Sequence, residues 1–410
     1  MLNLLSTPTY VESPFIIVKI GDYTFGKYTE KGVGGYSNVT YPNYMKSINI
    51  TKVNGAVNTY TIVMVYSITQ FDDPNKLDKV FGSVSETRKI TISYGDWNAP
   101  SFIYRDETAI ITKVTTSVSA STSQITYTIS ATSDCLYLNA SRRDFPKMTR
   151  KPSDVLMELL YNKSTGLLDI FYGMRDKKDL VRQRGLIPSD DKVVTIEAKR
   201  SISMLEYINY LVACMVPINA EESSDGTTNS SYYFHIVDGT KNDFGGTYFQ
   251  VTKVLSNTNT YDSTTTYELD VGYPTRNLVT NFTINANDSW SILYNYSQKV
   301  KNIDTIYTIN NDGQVVGSDQ PDLAKSRTLQ VTTQANKNWW SQVTSFPINA
   351  SVTIKGLLRP AILMSKVYVN VLFYGRKHIS SGLYIITRHE DVIDSSGYRT
   401  TLSLTRIGGD

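Results

Sequence analysis

Residues 381–389, Ser381-Gly382-Leu383-Tyr384-Ile385-Ile386-Thr387-Arg388-His389, open on a glycine and run apolar. After a turn at Asp394-Ser395-Ser396-Gly397, the chain returns as Tyr398-Arg399-Thr400-Thr401-Leu402-Ser403-Leu404-Thr405-Arg406. Leu402 and Leu404 alternate with Ser and Thr, the period-2 pattern of a strand with one buried face. Just upstream, Val367, Val369, Val371 and Phe373 alternate in the same way and stop at Tyr374-Gly375. A strand, a polar loop, an apolar strand, a turn and an alternating strand therefore close the chain.

The same order occurs in the first third. Lys89-Ile90-Thr91-Ile92-Ser93-Tyr94 ends at Gly95, Ala109-Ile110-Ile111-Thr112 follows, and Ile125-Thr126-Tyr127-Thr128-Ile129 completes the run. Ile110-Ile111-Thr112 matches Ile385-Ile386-Thr387 at an offset of 275, which also sets Tyr127 on Leu402 and Ile129 on Leu404. Tyr94-Gly95 matches Tyr374-Gly375 at an offset of 280. This internal echo predicts one chain carrying two similar small β-barrels, in a β-rich α+β fold. Ahead of the first copy, Ile48 and Ile50 alternate, Asn54-Gly55 signals a hairpin, and Tyr60, Ile62, Met64 and Tyr66 share one face. Val63 and Val65 make the other face of that strand apolar, which places it centrally in a sheet.

Two amphipathic helices interrupt the strands. Pro152 suits a first helical position, Asp154 the first turn, and Val155, Leu156, Leu159 and Leu160 form one stripe. Ser203-Met204-Leu205-Glu206 has the form of a capping box ahead of Ile208, Leu211 and Val212. Strands resume at residues 232–237 and 247–251 and again around Trp290, Ile292, Tyr294 and Tyr296. The domain reading is 1–148 for an N-terminal barrel, 149–345 for an inserted α+β region, and 346–410 for a C-terminal barrel completed by strands from 230–300.

Composition agrees with a strand-dominated protein. Over 410 residues, hydrophobic residues are 40% and charged residues 19%, below the usual shares of about 45–50% and about 25%. Ser, Thr, Asn and 29 Tyr fill the difference, which disfavours a helical bundle. A net charge of +3 gives no reason to expect specific nucleic-acid binding. Residues 361–374, the most apolar window, contain Lys366 and Asn370 and are too short to span a bilayer. Cys214, within the apolar run 211–216, fits a buried free thiol, and Cys135 and Cys214 do not resemble a disulfide framework.

The closing run 381–389 with 397–406 resembles the last strands of the second tube barrel in baseplate hub proteins of contractile-tailed phages. That family includes the hub part of type VI secretion spike proteins. Asp270-Val271-Gly272-Tyr273-Pro274-Thr275-Arg276-Asn277, with Val279 and Phe282, resembles a middle segment of phage hubs. The resemblance implies a structural virion protein of the tail baseplate, made in the host cytoplasm. It further implies a homotrimeric ring with pseudo-six-fold symmetry, fitting a six-fold tail tube to a three-fold central spike. The partners implied are the tail tube protein, the spike protein and other baseplate proteins. Since the sequence stops at Asp410, directly after the second barrel, spike and lytic activity are expected on separate chains.

No catalytic, cofactor or metal site is expected. Lys31-Gly32-Val33-Gly34-Gly35 lacks the Lys-Ser/Thr of a phosphate loop, and His389-Glu390-Asp391 does not continue as a zinc motif. Asp238-Gly239-Thr240-Lys241-Asn242-Asp243 misses the spacing of a calcium loop. Trp339 and Trp340, beside Lys337 and Asn338, are the candidates for an interface or a sugar-stacking platform. They support the competing reading, a carbohydrate-binding adhesin or tail-fibre-type module.

Overall fold

The computed structural model describes residues 9–10, 14–21, 23–32, 35–40, 45–67, 89–96, 104–161, 178–218, 230–237, 248–255, 267–272, 279–286, 307–309, 315–317, 348–359, 363–378 and 380–408. Trp339, Trp340, the strand expected around Trp290 and the 238–243 segment lie outside them.

Ten strands carry the architecture. In the first third these are β1 (Met45–Val53), β2 (Thr59–Ser67), β3 (Lys89–Asp96), β4 (Tyr104–Ser119) and β5 (Gln124–Thr132). In the last third they are β6 (Val279–Ala286), β7 (Ile348–Lys355), β8 (Lys366–Phe373), β9 (Gly382–Asp394) and β10 (Gly397–Gly408). The first set pairs in the order β3-β4-β5-β2-β1 and the second in the order β8-β9-β10-β7-β6, antiparallel throughout. The two sets thus have one topology. Both belong to a single 15-stranded sheet, because β9 also pairs with β1.

The alternation read from sequence is what buries each face. Tyr60, Ile62, Met64 and Tyr66 of β2 are all buried, with β1 on one side and β5 on the other, as a central strand requires. They meet Val18, Ile48, Ile50, Ile90, Ile92, Tyr94 and Ile129 in one core. The second set builds a separate core from Val352, Ile354, Val367, Val369, Tyr384, Leu402 and Leu404.

The repeat is real at the level of strand pairing, but its register differs from the sequence alignment. In β4 and β5 the ladder slips between Ile111 and Lys113, leaving Thr112 as the extra residue; in β9 and β10 it slips between Ile386 and Arg388, leaving Thr387. Each bulged threonine spends its hydroxyl the same way. Thr112 Oγ1 donates to the Ser130 carbonyl at 3.1 Å, and Thr387 Oγ1 to the Ser403 carbonyl at 3.2 Å. One bulge at one place in both copies is a conserved device of the fold unit.

The turn between β9 and β10 is two residues shorter than that between β4 and β5, since Asp394 pairs with Gly397 but Ser119 with Gln124. Past the turn the counterparts therefore shift from 275 to 273: Ile129 corresponds to Leu402 and Ala131 to Leu404, correcting Tyr127 with Leu402. The Tyr-Gly match also fails. Lys89 faces Ile110 as Lys366 faces Ile385, so the counterpart of buried Tyr94 is Val371. Tyr374 lies beyond its strand at φ 50°, 91% exposed.

Between the sets sits a third core around two helices, α1 (Pro152–Tyr161) and α2 (Met204–Ala213). Both helix starts are as the sequence predicts. In α1 the exposed N-terminal amides are met by a buried side chain, with Ser153 N and Oγ donating to Asp191 at 2.9 and 2.5 Å. In α2 Ser203 accepts from Glu206 N and Glu206 accepts from Ser203 N, a complete capping box. Val155, Leu156 and Leu160 are buried, as are Ile208, Leu211 and Val212. Cys135 and Cys214 are buried free thiols. The strands Ser230–Val237 and Tyr248–Leu255 pair as a hairpin that covers α2.

His235 lies in that hairpin at 1% exposure. Burial pushes its imidazole down from 6.5 to about 4. Between those values the unfolded chain takes up a proton that the folded chain refuses. Stability is therefore full above pH 6.5 and falls as pH drops towards 4, by about 1.4 kcal/mol per unit. Urea midpoints measured at about pH 7.5 and about pH 5 should differ less for His235→Leu than for the unaltered chain. Equal differences would remove His235 from the account.

Candidate assembly interface

The loop between β1 and β2 spans residues 54–58, longer than the two-residue turn that Asn-Gly favours, because it docks elsewhere. Gly55, at φ 71°, donates its N–H to the Phe234 carbonyl at 2.7 Å, and its own carbonyl accepts from Asn209 Nδ2 at 2.8 Å. Asn54 N donates to the Thr387 carbonyl at 3.1 Å. A side chain at position 55 would meet Asn209 at 3.0 Å in a conformation that suits glycine. The loop fastens the first set to the helical region and to the bulge of the second set at once.

From that bulge, residues 388–393 of β9 run along β1, pairing Arg388 with Val53, Asp391 with Ile50 and Ile393 with Ile48. The β9–β10 hairpin therefore serves two cores. Its base contributes Leu383, Tyr384, Ile385, Leu402 and Leu404 to the second core, while Ile393 and Tyr398 near its tip belong to the first. Tyr398 packs edge-on against Tyr94 at 6.2 Å between centroids.

Polar side chains fill the seam. Glu107 of β4, 2% exposed, accepts from Lys52 of β1 and from the hydroxyls of Tyr60 on β2 and Tyr94 on β3, each at 2.8 Å. A single carboxylate thus ties four strands together. A buried charge needs such partners, since unpaired it costs several kcal/mol. Lys52 is the cross-strand partner of His389, whose Nε2 lies 3.1 Å from Asp391 Oδ1. Thr400 Oγ1 donates to the same Asp391 oxygen at 2.7 Å, and His389, Asp391 and Thr400 are fully buried. In the sequence His389 ends the closing run and, with Asp391, forms an incomplete zinc motif, while Lys52 and Glu107 belong to no motif. The available signal was parity: Glu107 is two residues from Ala109, so it points to the same face as that core residue.

The first set has no such neighbour along β4. Residues 104–110 of β4 pair with β3, whereas 113–119 pair only with β5 among the described residues. At one end of the sheet, β6 pairs only with β7 among them. Such open edges invite a further strand. Among the described residues, no three His, Cys, Asp or Glu side chains are grouped to hold a metal ion, and no helix is long and apolar enough to cross a membrane.

No protein-family model and no curated protein matches the chain. Among solved structures it is similar to the 43 kDa tail protein of prophage MuSo2 from Shewanella oneidensis. That likeness has a TM-score of 0.50 at 12% identity, over 96% of this chain and 98% of the other. The tail protein from Neisseria meningitidis MC58 gives a TM-score of 0.48 at 9% identity, over 96% and 97%. An Escherichia coli component of the type VI secretion system gives 0.44 at 8%, over 96% and 78%. The first of these likenesses shows a common fold along nearly the whole length of both chains.

Proposed function

We propose that the protein is a structural component of a phage tail, namely a baseplate hub. Three copies close a ring that carries two like β-units per chain, and this ring fits a six-fold tail tube to a three-fold spike. The observation that carries the reading is the doubled five-strand set, with one strand order and one bulge, joined edge to edge within a single chain. Duplication lets three chains present six equivalent surfaces, which is how a trimer meets a hexamer without mismatched contacts. The fold held in common with a prophage tail protein supports the same assignment.

On this reading each five-strand set is the wall of a small β-barrel. The barrel regions are 1–148 and 346–410, the latter completed by strands from 230–300, and the helical region between them is an insertion. The protein works through geometry and not catalysis, in the virion tail, with tube, spike and baseplate proteins as partners.

Light scattering coupled to size exclusion, with negative-stain averages of the same peak, tests this. A mass near three times 46.0 kDa, in rings with a central opening, is the expected result. A monomer that also fails to bind tail-tube rings would overturn the hub.

A further inference from the structure

We infer that the free edge of β4, residues 113–119, pairs with the free edge of β6 from a second copy of this chain, repeating between copies the β9–β1 junction seen within one. This rests on the ring reading above and adds the surface that closes the ring. The argument starts from counterparts fixed by strand pairing. Up to the turn, β4 corresponds to β9 at an offset of 275, so Lys113 is the counterpart of Arg388 and Val118 that of Ile393. In β1 and β6, Ile48 faces Ile62 as Phe282 faces Val352, and Ile50 faces Tyr60 as Ile284 faces Ala350. Ile62 and Val352 are themselves counterparts, because they pair with Ile129 and Leu402. β6 is therefore to the second set what β1 is to the first.

Within the chain, β1 is covered by the β9 arm. The counterpart edge of β6 and the counterpart β4 arm are each left open among the described residues, and they are complementary by construction. Transferring the β9–β1 register sets Val118 opposite Phe282, Ser117 opposite Thr283 and Thr116 opposite Ile284. The heterologous contact runs from the first set of one copy to the second set of the next, so it propagates around a ring.

Exposure supports the same pairing independently. Ile393 is 8% exposed because the neighbouring core covers it, whereas its counterpart Val118 is 64% exposed. The strand that would cover Val118 is itself only half-buried at Phe282 and Ile284. Tyr398 lies against Tyr94; their counterparts are Ile125 and Val371, and two residues beyond Val371 Phe373 is 58% exposed. Phe373 stacks edge-on with Tyr374, itself 91% exposed, at 4.4 Å. Of the five large apolar residues exposed among those described, Val118 lies on the open edge of β4, and Phe373 and Tyr374 lie at the end of β8 in the second set. Apolar groups gathered at complementary open edges mark an interface.

The test is a cysteine pair. In the full-length chain carrying Ser117→Cys and Thr283→Cys, a paired register brings the two Cα atoms to about 4.5–5.5 Å, within disulfide range. Cys135 and Cys214 are buried and do not compete. Mild oxidation should convert the chain into covalent dimers and closed trimers on non-reducing gels, and either single variant should give none. Val118→Asp should lose the oligomer at concentrations where the unaltered chain keeps it, with an unchanged circular-dichroism spectrum. A trimer that neither crosslinks nor responds to Val118→Asp would overturn this pairing and leave the hub standing. Crosslinked rings of another size would keep the pairing and overturn the trimer. A monomer throughout would overturn the pairing.

Discussion

Lys52→Met is expected to destabilise the folded chain by roughly 3–5 kcal/mol, the cost of leaving one partner of a buried ion pair uncompensated. Glu107 is 2% exposed and Lys52 13%, so neither charge can be rehydrated without opening the sheet. The tyrosine hydroxyls of Tyr60 and Tyr94 would remain on the carboxylate, but two neutral donors do not balance a full charge. The effect should shrink in a double variant. With Lys52→Met and Glu107→Leu together, no charge is buried, and much of the stability should return, as apolar replacement of whole buried pairs does elsewhere. Urea unfolding of the two single variants and the double closes the cycle. A Lys52→Met cost below about 1 kcal/mol would mean that the carboxylate is not held by this pair.

Tyr398→Ala should be of similar size, roughly 3–5 kcal/mol for removing a buried aromatic ring. Its ring fills three roles. It belongs to the first core although its strand belongs to the second set, it meets Tyr94 edge-on, and it covers Gly356. Gly356 donates its N–H to the Tyr398 carbonyl at 2.7 Å, which brings the glycine directly under the ring. A Cβ at position 356 would stand 2.2 Å from the ring carbon Cγ, and Cγ cannot swing away as the tip of a flexible side chain could. Gly356→Ala alone should therefore cost about 1–3 kcal/mol through overpacking. In the Tyr398→Ala background the obstruction is gone, and the same substitution should be close to neutral. Thermal or urea unfolding of the four chains measures that coupling; additive costs would place the ring elsewhere.

Several elements were legible in the sequence because their causes are local. Alternation over Tyr60, Ile62, Met64 and Tyr66 names a buried face, and apolar Val63 and Val65 on the other side mark a central strand. The capping box at Ser203 and Glu206 lies within four residues, so its reading needed no tertiary information. The Ile-Ile-Thr echo marked the repeated hairpin, and both threonines are the bulged residues. The echo does not extend past the turn at a single offset. A two-residue difference in one hairpin loop moves every later counterpart, and residue type alone cannot reveal such a shift.

The strand-rich class, the buried faces of the alternating strands, the two capped helices and a doubled unit are all legible in the residues alone. Which edges meet is set by the assembled fold. Period-2 alternation says that a strand has an inside, but any strand of like period could sit beside it, because backbone ladders carry no residue code. The β9–β1 junction joins Glu390 to Asn49 across 341 positions, a pairing settled by where two cores place their open ends. Lys52, Glu107, His389 and Asp391 followed from it. Scattered along the chain they are ordinary charged residues, and only the closing of that seam takes them out of water and makes each depend on the others.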